Sequence, residues 1–252
     1  MNGFLSGAIA AASVWPLETI RTQKQVYTKG STYDCIINIY KKQGIRGFYK
    51  GLTYGIFGMG IFYAGYFPLY DFLKIYLARK STRVNASRFS TTVPYLASYI
   101  AANIASLYTN AFYVIRTRHQ TQIIRGSNSN LTIIRIIREE GIKGLSRGLG
   151  FTWIKNIELG FNAPFRDKMK KYGYNPILSS FVAKLFTTSV TYPLDTARTL
   201  RRHLMYPISA KDIAIRFYHD PKSAYKGYPI YALRSIPSTV IAFTVYDWLE
   251  CE

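Results

Sequence analysis

One pattern, written three times, limits what this chain can fold into. Pro16-Leu17-Glu18-Thr19-Ile20-Arg21 returns near the other end as Pro193-Leu194-Asp195-Thr196-Ala197-Arg198. Between them lies an eroded copy, Ala111-Phe112-Tyr113-Val114-Ile115-Arg116, which lacks the proline and the acid. The copies start at 16, 111 and 193, spacings of 95 and 82 residues. Two other markers keep step. Gly51, Gly148 and Gly227 are 97 and 79 apart, and Asp71, Asp167 and Asp247 are 96 and 80 apart. Three markers moving together mean tandem units, the third one shorter, and repeats are read before any fold is assigned. The units expected from this spacing are 1–80, 81–175 and 176–252.

Composition then separates the classes of fold. The chain is 48% hydrophobic and only 18% charged, yet carries a net charge of +20. A basic excess suits a nucleic-acid binder or a membrane protein, and the placement of the bases decides between them. Of 33 Lys and Arg, seven fall in 21–50, seven in 116–147 and seven in 198–226. Five more lie in 74–94 and four in 166–176, leaving Lys155, Lys184 and Arg234 inside apolar runs. A nucleic-acid stripe would put bases on the faces of folded elements; here they fill the gaps between apolar segments, so no nucleic-acid partner is expected.

Six runs, roughly 2–24, 52–78, 93–120, 149–171, 177–201 and 229–249, have the ~20 residues a membrane helix needs. Small residues recur at four-residue spacing, as in Gly3/Gly7/Ala11, Ala97/Ala101/Ala105 and Ser179/Ala183/Thr187, and such stripes let helix backbones approach closely in lipid. The links hold short amphipathic stretches, 33–43, 131–140 and 210–218, that read as surface helices. The expected fold is an all-α membrane protein: six transmembrane helices in three pseudo-symmetric repeats around a central cavity, with three short surface helices. A proline cannot donate the i−4 hydrogen bond, so Pro16 and Pro193 should kink their helices.

Chemistry other than binding has little to stand on. Two cysteines and three histidines give no metal-ligand spacing, and no nucleophile-elbow, zinc or phosphate-loop motif is present. No enzyme activity, catalytic residue, metal or cofactor is expected. Ionisable groups inside a membrane mark a pathway by default, and apart from Glu158 the acids of the spans all belong to repeated motifs.

The triplicate motif resembles the mitochondrial carrier family over essentially the whole chain. The family pattern is Pro-x-acid-x-x-base-x-base-x-Gln, followed by a Gly-x-x-x-x-aromatic-base-Gly close. Gly44 to Gly51 and Gly141 to Gly148 fit the close, with Ser146 in place of the aromatic; the third copy is one residue short, with Asp220 where a glycine is usual. The even-numbered runs end in a second charge motif: Tyr70-Asp71 with Lys74, Asp167 with Lys170, and Tyr246-Asp247 with Glu250.

The resemblance implies two ionic gates. A matrix-side gate would pair Glu18 with Arg116 and Asp195 with Arg21, with Gln25 and Gln120 as braces; Arg198 would face Tyr113 where an acid is usual. A cytoplasmic-side gate would pair Asp71 with Lys170 and Asp247 with Lys74, braced by Tyr70 and Tyr246, while Asp167 meets Glu250. Each gate then keeps two of three pairs, which implies looser closure or a lower barrier to interconversion. Glu18/Arg21 and Asp195/Arg198 are three apart and can equally pair within their own helices. Substrate contacts are implied at Gly58, Ile154 with Lys155, and Arg234. Lys184, eleven residues before Asp195, lies within ~20° of the same helix face, and Glu158 shares the interior. Lys155 and Lys184 could instead reach out to the membrane interface. Lys50-Gly51, Arg147-Gly148 and Lys226-Gly227 begin even helices, where backbone N–H groups attract phosphate; cardiolipin headgroups are implied there.

More bases than acids in the interior favour an anionic substrate. The function expected is alternating-access transport, by antiport, of a small anionic and preferably nucleotide-like metabolite across the mitochondrial inner membrane by a multi-pass monomer. The alternatives are an amino-acid or carboxylate carrier, and a carrier-like adaptor that no longer transports.

Overall fold

The computed structural model describes residues 2–27, 30–81, 86–121, 129–158, 172–173, 176–206, 208–235 and 237. Among the described residues the regular structure is helical throughout. In order it comprises α1 (Asn2–Ser13), α2 (Trp15–Val26), α3 (Thr32–Gln43), a 3₁₀ turn (Ile45–Tyr49), α4 (Leu52–Ser81), α5 (Ala86–Gln120) and α6 (Ser129–Glu140). Then come α7 (Ile142–Leu145), α8 (Leu149–Lys155), α9 (Pro176–His203), α10 (Ala210–His219) and α11 (Pro221–Ala224), and residues 228–235 are again helical. Two compact units share these helices. The first takes 1–60, 110–148 and 196–252; the second takes 61–109 and 149–195.

Among the described residues no helix is long and apolar enough to cross a membrane. The runs expected as spans are helical where described, apart from turns at Val14 and at Asn156 and Ile157, but each is interrupted by polar residues: α5 alone carries Tyr95, Ser98, Tyr99, Asn103, Ser106, Tyr108, Thr109 and Asn110. Proline acts differently in its two motif copies. The first helix breaks at Val14 (φ −98°, ψ 5°), two residues ahead of Pro16, and so divides into α1 and α2. In the third copy α9 continues through Pro193 without interruption.

The markers that keep step in the sequence hold the same local geometry. Gly51, Gly148 and Gly227 have φ of 75°, 77° and 91°, a region that L side chains rarely enter. A Cβ on Gly51 would stand 3.0 Å from the carbonyl oxygen of Arg116, and one on Gly148 would stand 3.0 Å from that of Arg198. The glycine closing one link therefore lies against the base of the next motif. Gly44 and Gly141 cap α3 and α6 at φ 62° and 68°, whereas Asp220 ends α10 at φ −132°. Helices α3 and α10 begin alike: Ser31 and Ser209 each accept a backbone N–H, while Asp34 and Asp212 accept from the serine N–H, a capping box.

One hydrogen-bond pattern fixes each motif to its link within the first unit. Thr19 Oγ1 donates to Phe48 O at 2.7 Å, and its third-copy counterpart Thr196 donates to Ala224 O at 2.8 Å. In the middle copy that position is Val114, which has no hydroxyl. Asn110 compensates from four residues earlier, one turn away on the same face: its Nδ2 donates to Leu145 O at 2.8 Å and Arg147 O at 3.1 Å. Around these contacts Ile20, Ile39 and Ile230 form an apolar cluster, with Leu17, Cys35 and Phe48 against it. In the second unit the Ala97/Ala101/Ala105 stripe is fully buried, as are Ala183 and nearly all of Thr187.

Candidate functional site

In the first unit, ionic chemistry converges on one carboxylate. Pro16 lies in the first turn of α2, so Glu18 and Arg21 lie one turn apart in its first half. Glu18 meets Arg21 Nη1 at 3.3 Å, pairs closely with Arg116 Nη2 from α5, and lies 3.2 Å from Arg234 Nε. Glu18 and Arg21 are both 7% exposed. Glu18 therefore bonds both to its own helix and to the next motif copy. Arg234, expected among the substrate contacts, lies against Glu18, the acid expected in the matrix-side gate. Its Nε is buried and, although close to Glu18, is off the hydrogen-bonding line.

Aromatic rings hold the three guanidiniums in place. Arg116 lies 4.7 Å from the centre of the Trp15 ring; Arg21 and Arg234 lie 4.7 and 5.7 Å from that of Tyr231. A cation over a ring face gains ~0.5–2 kcal/mol, most when desolvated. The Trp15 indole donates to Lys50 O at 3.1 Å. It also covers Gly55 so closely that a Cβ there would stand 2.0 Å from Trp15 Cη2. Gly58, expected as a substrate contact, is a close-approach glycine: a Cβ there would meet Phe112 Cβ at 3.1 Å.

The second unit has its own carboxylate centre. Glu158 Oε1 accepts from Lys184 Nζ and Thr188 Oγ1, both at 2.8 Å. Its Oε2 accepts from Lys155 Nζ at 2.9 Å and Thr191 Oγ1 at 3.0 Å. Lys184, Thr188, Thr191 and Asp195 recur along one face of α9 at helical spacing, and Lys155 also lies 3.8 Å from Asp195 Oδ1. Glu158 is 4% exposed. Lys155 and Lys184, expected as spare bases for a substrate, thus stand against the chain's own acid. The reason is local: Glu158 follows Lys155 by one turn, and Lys184 reaches it across from α9. Ile154, beside Lys155, is 53% exposed.

A family model described as mitochondrial carrier protein matches the chain three times, over residues 1–81, 87–176 and 170–250. The chain belongs to the mitochondrial carrier family. An Arabidopsis thaliana relative named nicotinamide adenine dinucleotide transporter 1, chloroplastic, is 28% identical over 98% of this chain and 89% of its own length. The mitochondrial thiamine pyrophosphate carrier 1 of Candida glabrata is 27% identical over 97% and 91%. A human mitochondrial adenyl nucleotide antiporter is 31% identical over 68% of this chain and 37% of its own.

Within this carrier the middle motif holds a buried network that the sequence reading missed. Arg118 occupies the second base position of the family pattern, which only the middle copy fills with a base. Its guanidinium clasps Glu140, with 2.5 Å from Nη1 and 2.9 Å from Nη2, and its Nε donates to Arg202 O at 3.1 Å. Arg147 adds a 2.8 Å contact to Glu140 and donates to Leu204 O at 2.7 Å and Met205 O at 2.5 Å. The signal was legible: a base at that position goes with an acid just before the closing Gly141, and no other copy has both. Arg147, expected at a lipid headgroup, spends its guanidinium here. Tyr113 has Arg202 over its ring at 5.3 Å, and Arg202 also donates to Asn110 Oδ1 at 2.7 Å.

The remaining expected residues divide by where they fall. Gln120, buried, accepts from Thr22 Oγ1 at 3.0 Å and donates to Thr19 Oγ1 at 3.4 Å, while its carbonyl takes Gln23 Nε2 at 2.9 Å. Gln25 is 2% exposed on α2 and Arg198 lies on α9. Asp71 and Lys74 are exposed on α4, with Lys74 Nζ 5.8 Å from the centre of the Tyr70 ring. Asp167, Lys170, Tyr246, Asp247 and Glu250 lie outside the described residues. Lys226 contacts Asp220 at 3.5 Å. Burial pulls the Lys50 ammonium below the usual lysine range.

Proposed function

We propose that this carrier moves a phosphate-bearing, nucleotide-like anion across the mitochondrial inner membrane, by exchange at a site reached from alternate sides. The observation that carries this reading is the Glu18 centre: within one unit three guanidiniums, stacked on Trp15 and Tyr231, face one carboxylate. Planar guanidiniums match phosphate oxygens in pairs, and stacked rings beside them suit a base. An incoming phosphate competes with Glu18 for Arg116 and Arg234. Breaking that contact couples binding to opening, because a ligand shifts a conformational equilibrium only through its differential affinity for the two states. The relatives named for nicotinamide adenine dinucleotide, thiamine pyrophosphate and adenyl nucleotides support the same class. In this reading the six helical runs cross the membrane as tilted, mutually packed spans around a watery interior. Lys50-Gly51, Gly148 and Lys226-Gly227 would attract the phosphates of a cardiolipin-like lipid.

Reconstituted vesicles test this. Saturable uptake of one phosphate-bearing solute is expected from a panel of nucleotides, thiamine pyrophosphate, amino acids and carboxylates. Arg234→Ala should lower uptake at limiting substrate by ~10–100-fold, the loss of a charge-assisted contact of ~1.5–3 kcal/mol. Uptake of a carboxylate alone replaces the substrate class; no uptake from the whole panel leaves the adaptor reading.

A further inference from the structure

The cluster around Glu158 has the form of an anion-binding site already filled. Each carboxylate oxygen receives one ammonium and one hydroxyl, at 2.8 Å and 2.8 Å on Oε1 and at 2.9 Å and 3.0 Å on Oε2. Four converging donors, two of them cations, are what a carboxylate or a pair of phosphoryl oxygens needs. The donors differ in how firmly they are held. Thr188 and Thr191 are buried on α9, and the Lys155 side chain is 18% exposed, whereas that of Lys184 is 46% exposed. Lys184 can therefore leave Glu158 without being stranded in a dry interior.

We propose that Glu158 is a tethered counter-anion, occupying a cradle of Lys155, Lys184, Thr188 and Thr191 that accepts a carboxylate or phosphoryl group once Glu158 is displaced. Such a residue determines specificity. A neutral or cationic solute gains nothing by entering, and an anion enters only if it holds the two lysines better than the tethered acid does. A permanent internal competitor also weakens apparent affinity, because the free cradle is populated only for a fraction of the time. The consequence for uptake rests on the transport reading above; the existence of the cradle does not.

The test uses the full chain in detergent and needs no substrate. Glu158→Ala removes the tethered acid, and sodium acetate supplies a free one. Acetate at about five times its dissociation constant should raise the melting temperature of this variant by ~2–4 °C relative to sodium chloride of equal ionic strength. The wild type, whose cradle is full, should not respond. Adding Lys184→Met to Glu158→Ala should abolish the response. If Glu158→Ala does not fold, Glu158→Asn keeps a polar side chain one methylene shorter, which draws it back from the lysines, and inorganic phosphate should then stabilise it more than it does the wild type. A folded variant that gains no response to acetate or phosphate overturns the cradle, as does a response that survives Lys184→Met. Wild-type uptake without any acetate response removes the cradle alone; an acetate response without wild-type uptake removes only the transport reading.

Discussion

Glu18 and Glu158 are both buried carboxylates that hold bases from more than one stretch of chain, yet they solve the charge problem in opposite ways. Around Glu18 the partners are guanidiniums fixed over aromatic rings, and three of them face one acid. Around Glu158 the partners are two flexible ammonium groups and two hydroxyls, with Asp195 close to one of the lysines. The first centre is rigid, its cations held over rings. The second can loosen on one side, where the Lys184 side chain is half exposed. An ion pair is thus not one kind of element: its use depends on how many cations share the anion and whether they can retreat.

The largest expected effect contrasts the two acids directly. Glu18→Gln leaves Arg21, Arg116 and Arg234 facing one another without their shared carboxylate. Breaking a buried charge cluster by removing one partner costs ~3–5 kcal/mol, and thermal unfolding in detergent should show it. Glu158→Gln should cost less, about 1–3 kcal/mol, because Lys184 is half exposed and the amide oxygen still accepts from a threonine. Equal losses, or a larger one at Glu158, would break the distinction between a rigid and a yielding centre.

A second prediction tests the aromatic half of the rigid centre. Gly55→Ala puts a methyl 2.0 Å from Trp15 Cη2. The indole has to shift, taking with it the surface on which Arg116 rests. Overpacking of this kind costs ~1–3 kcal/mol. A change in tryptophan fluorescence should accompany a weaker response to phosphate-bearing solutes, whereas the Glu158 centre should keep its own behaviour. A fluorescence change with unaltered ligand response would detach Trp15 from the site.

Much of this architecture could be read from the repeat, because what recurs must do one job three times. The glycines in step at 51, 148 and 227 required left-handed backbone, and the motif acid Glu18 lies against the base of the next copy. What escaped was whatever departed from the pattern. Arg118 and Glu140 pair only in the middle copy, where the proline and acid are lost. Glu158 falls outside every motif, so its grip on Lys155 and Lys184 was hidden, and the two lysines read as unclaimed charge. Arg234 matched a contact position by count, and its contact with Glu18 could not be read there, since counting along a chain does not fix how far an arginine reaches.

Within the yielding centre, the two hydroxyls should matter by a smaller margin. Thr188 Oγ1 lies 2.8 Å from Glu158 Oε1 and Thr191 Oγ1 lies 3.0 Å from Glu158 Oε2. Thr188→Val and Thr191→Val should each cost about 1 kcal/mol, read as a lowered melting temperature. No loss at either position would mean that the two lysines alone hold Glu158 and that the hydroxyls are no part of the cradle.

The smallest effect lies beneath the rigid centre, where the middle repeat has substituted one hydrogen bond for another. Thr19 and Thr196 tie their motifs to a link carbonyl, while Val114, at the same position, is fully buried and Asn110 supplies the bond. Val114→Thr restores the repeat's hydroxyl beside a carbonyl, Leu145 O, that is already satisfied. A new bond and the burial of a polar group nearly cancel, so the change in stability should stay within about 0.5 kcal/mol. In an Asn110→Ala background the same substitution meets an orphaned Leu145 O and should recover about 1 kcal/mol. The coupling between the two positions, read from a double-mutant cycle, then measures how far the middle copy has drifted while keeping its geometry. Zero coupling would mean that Asn110 holds the link through Arg147 O and Arg202 instead, and that the lost threonine was never replaced.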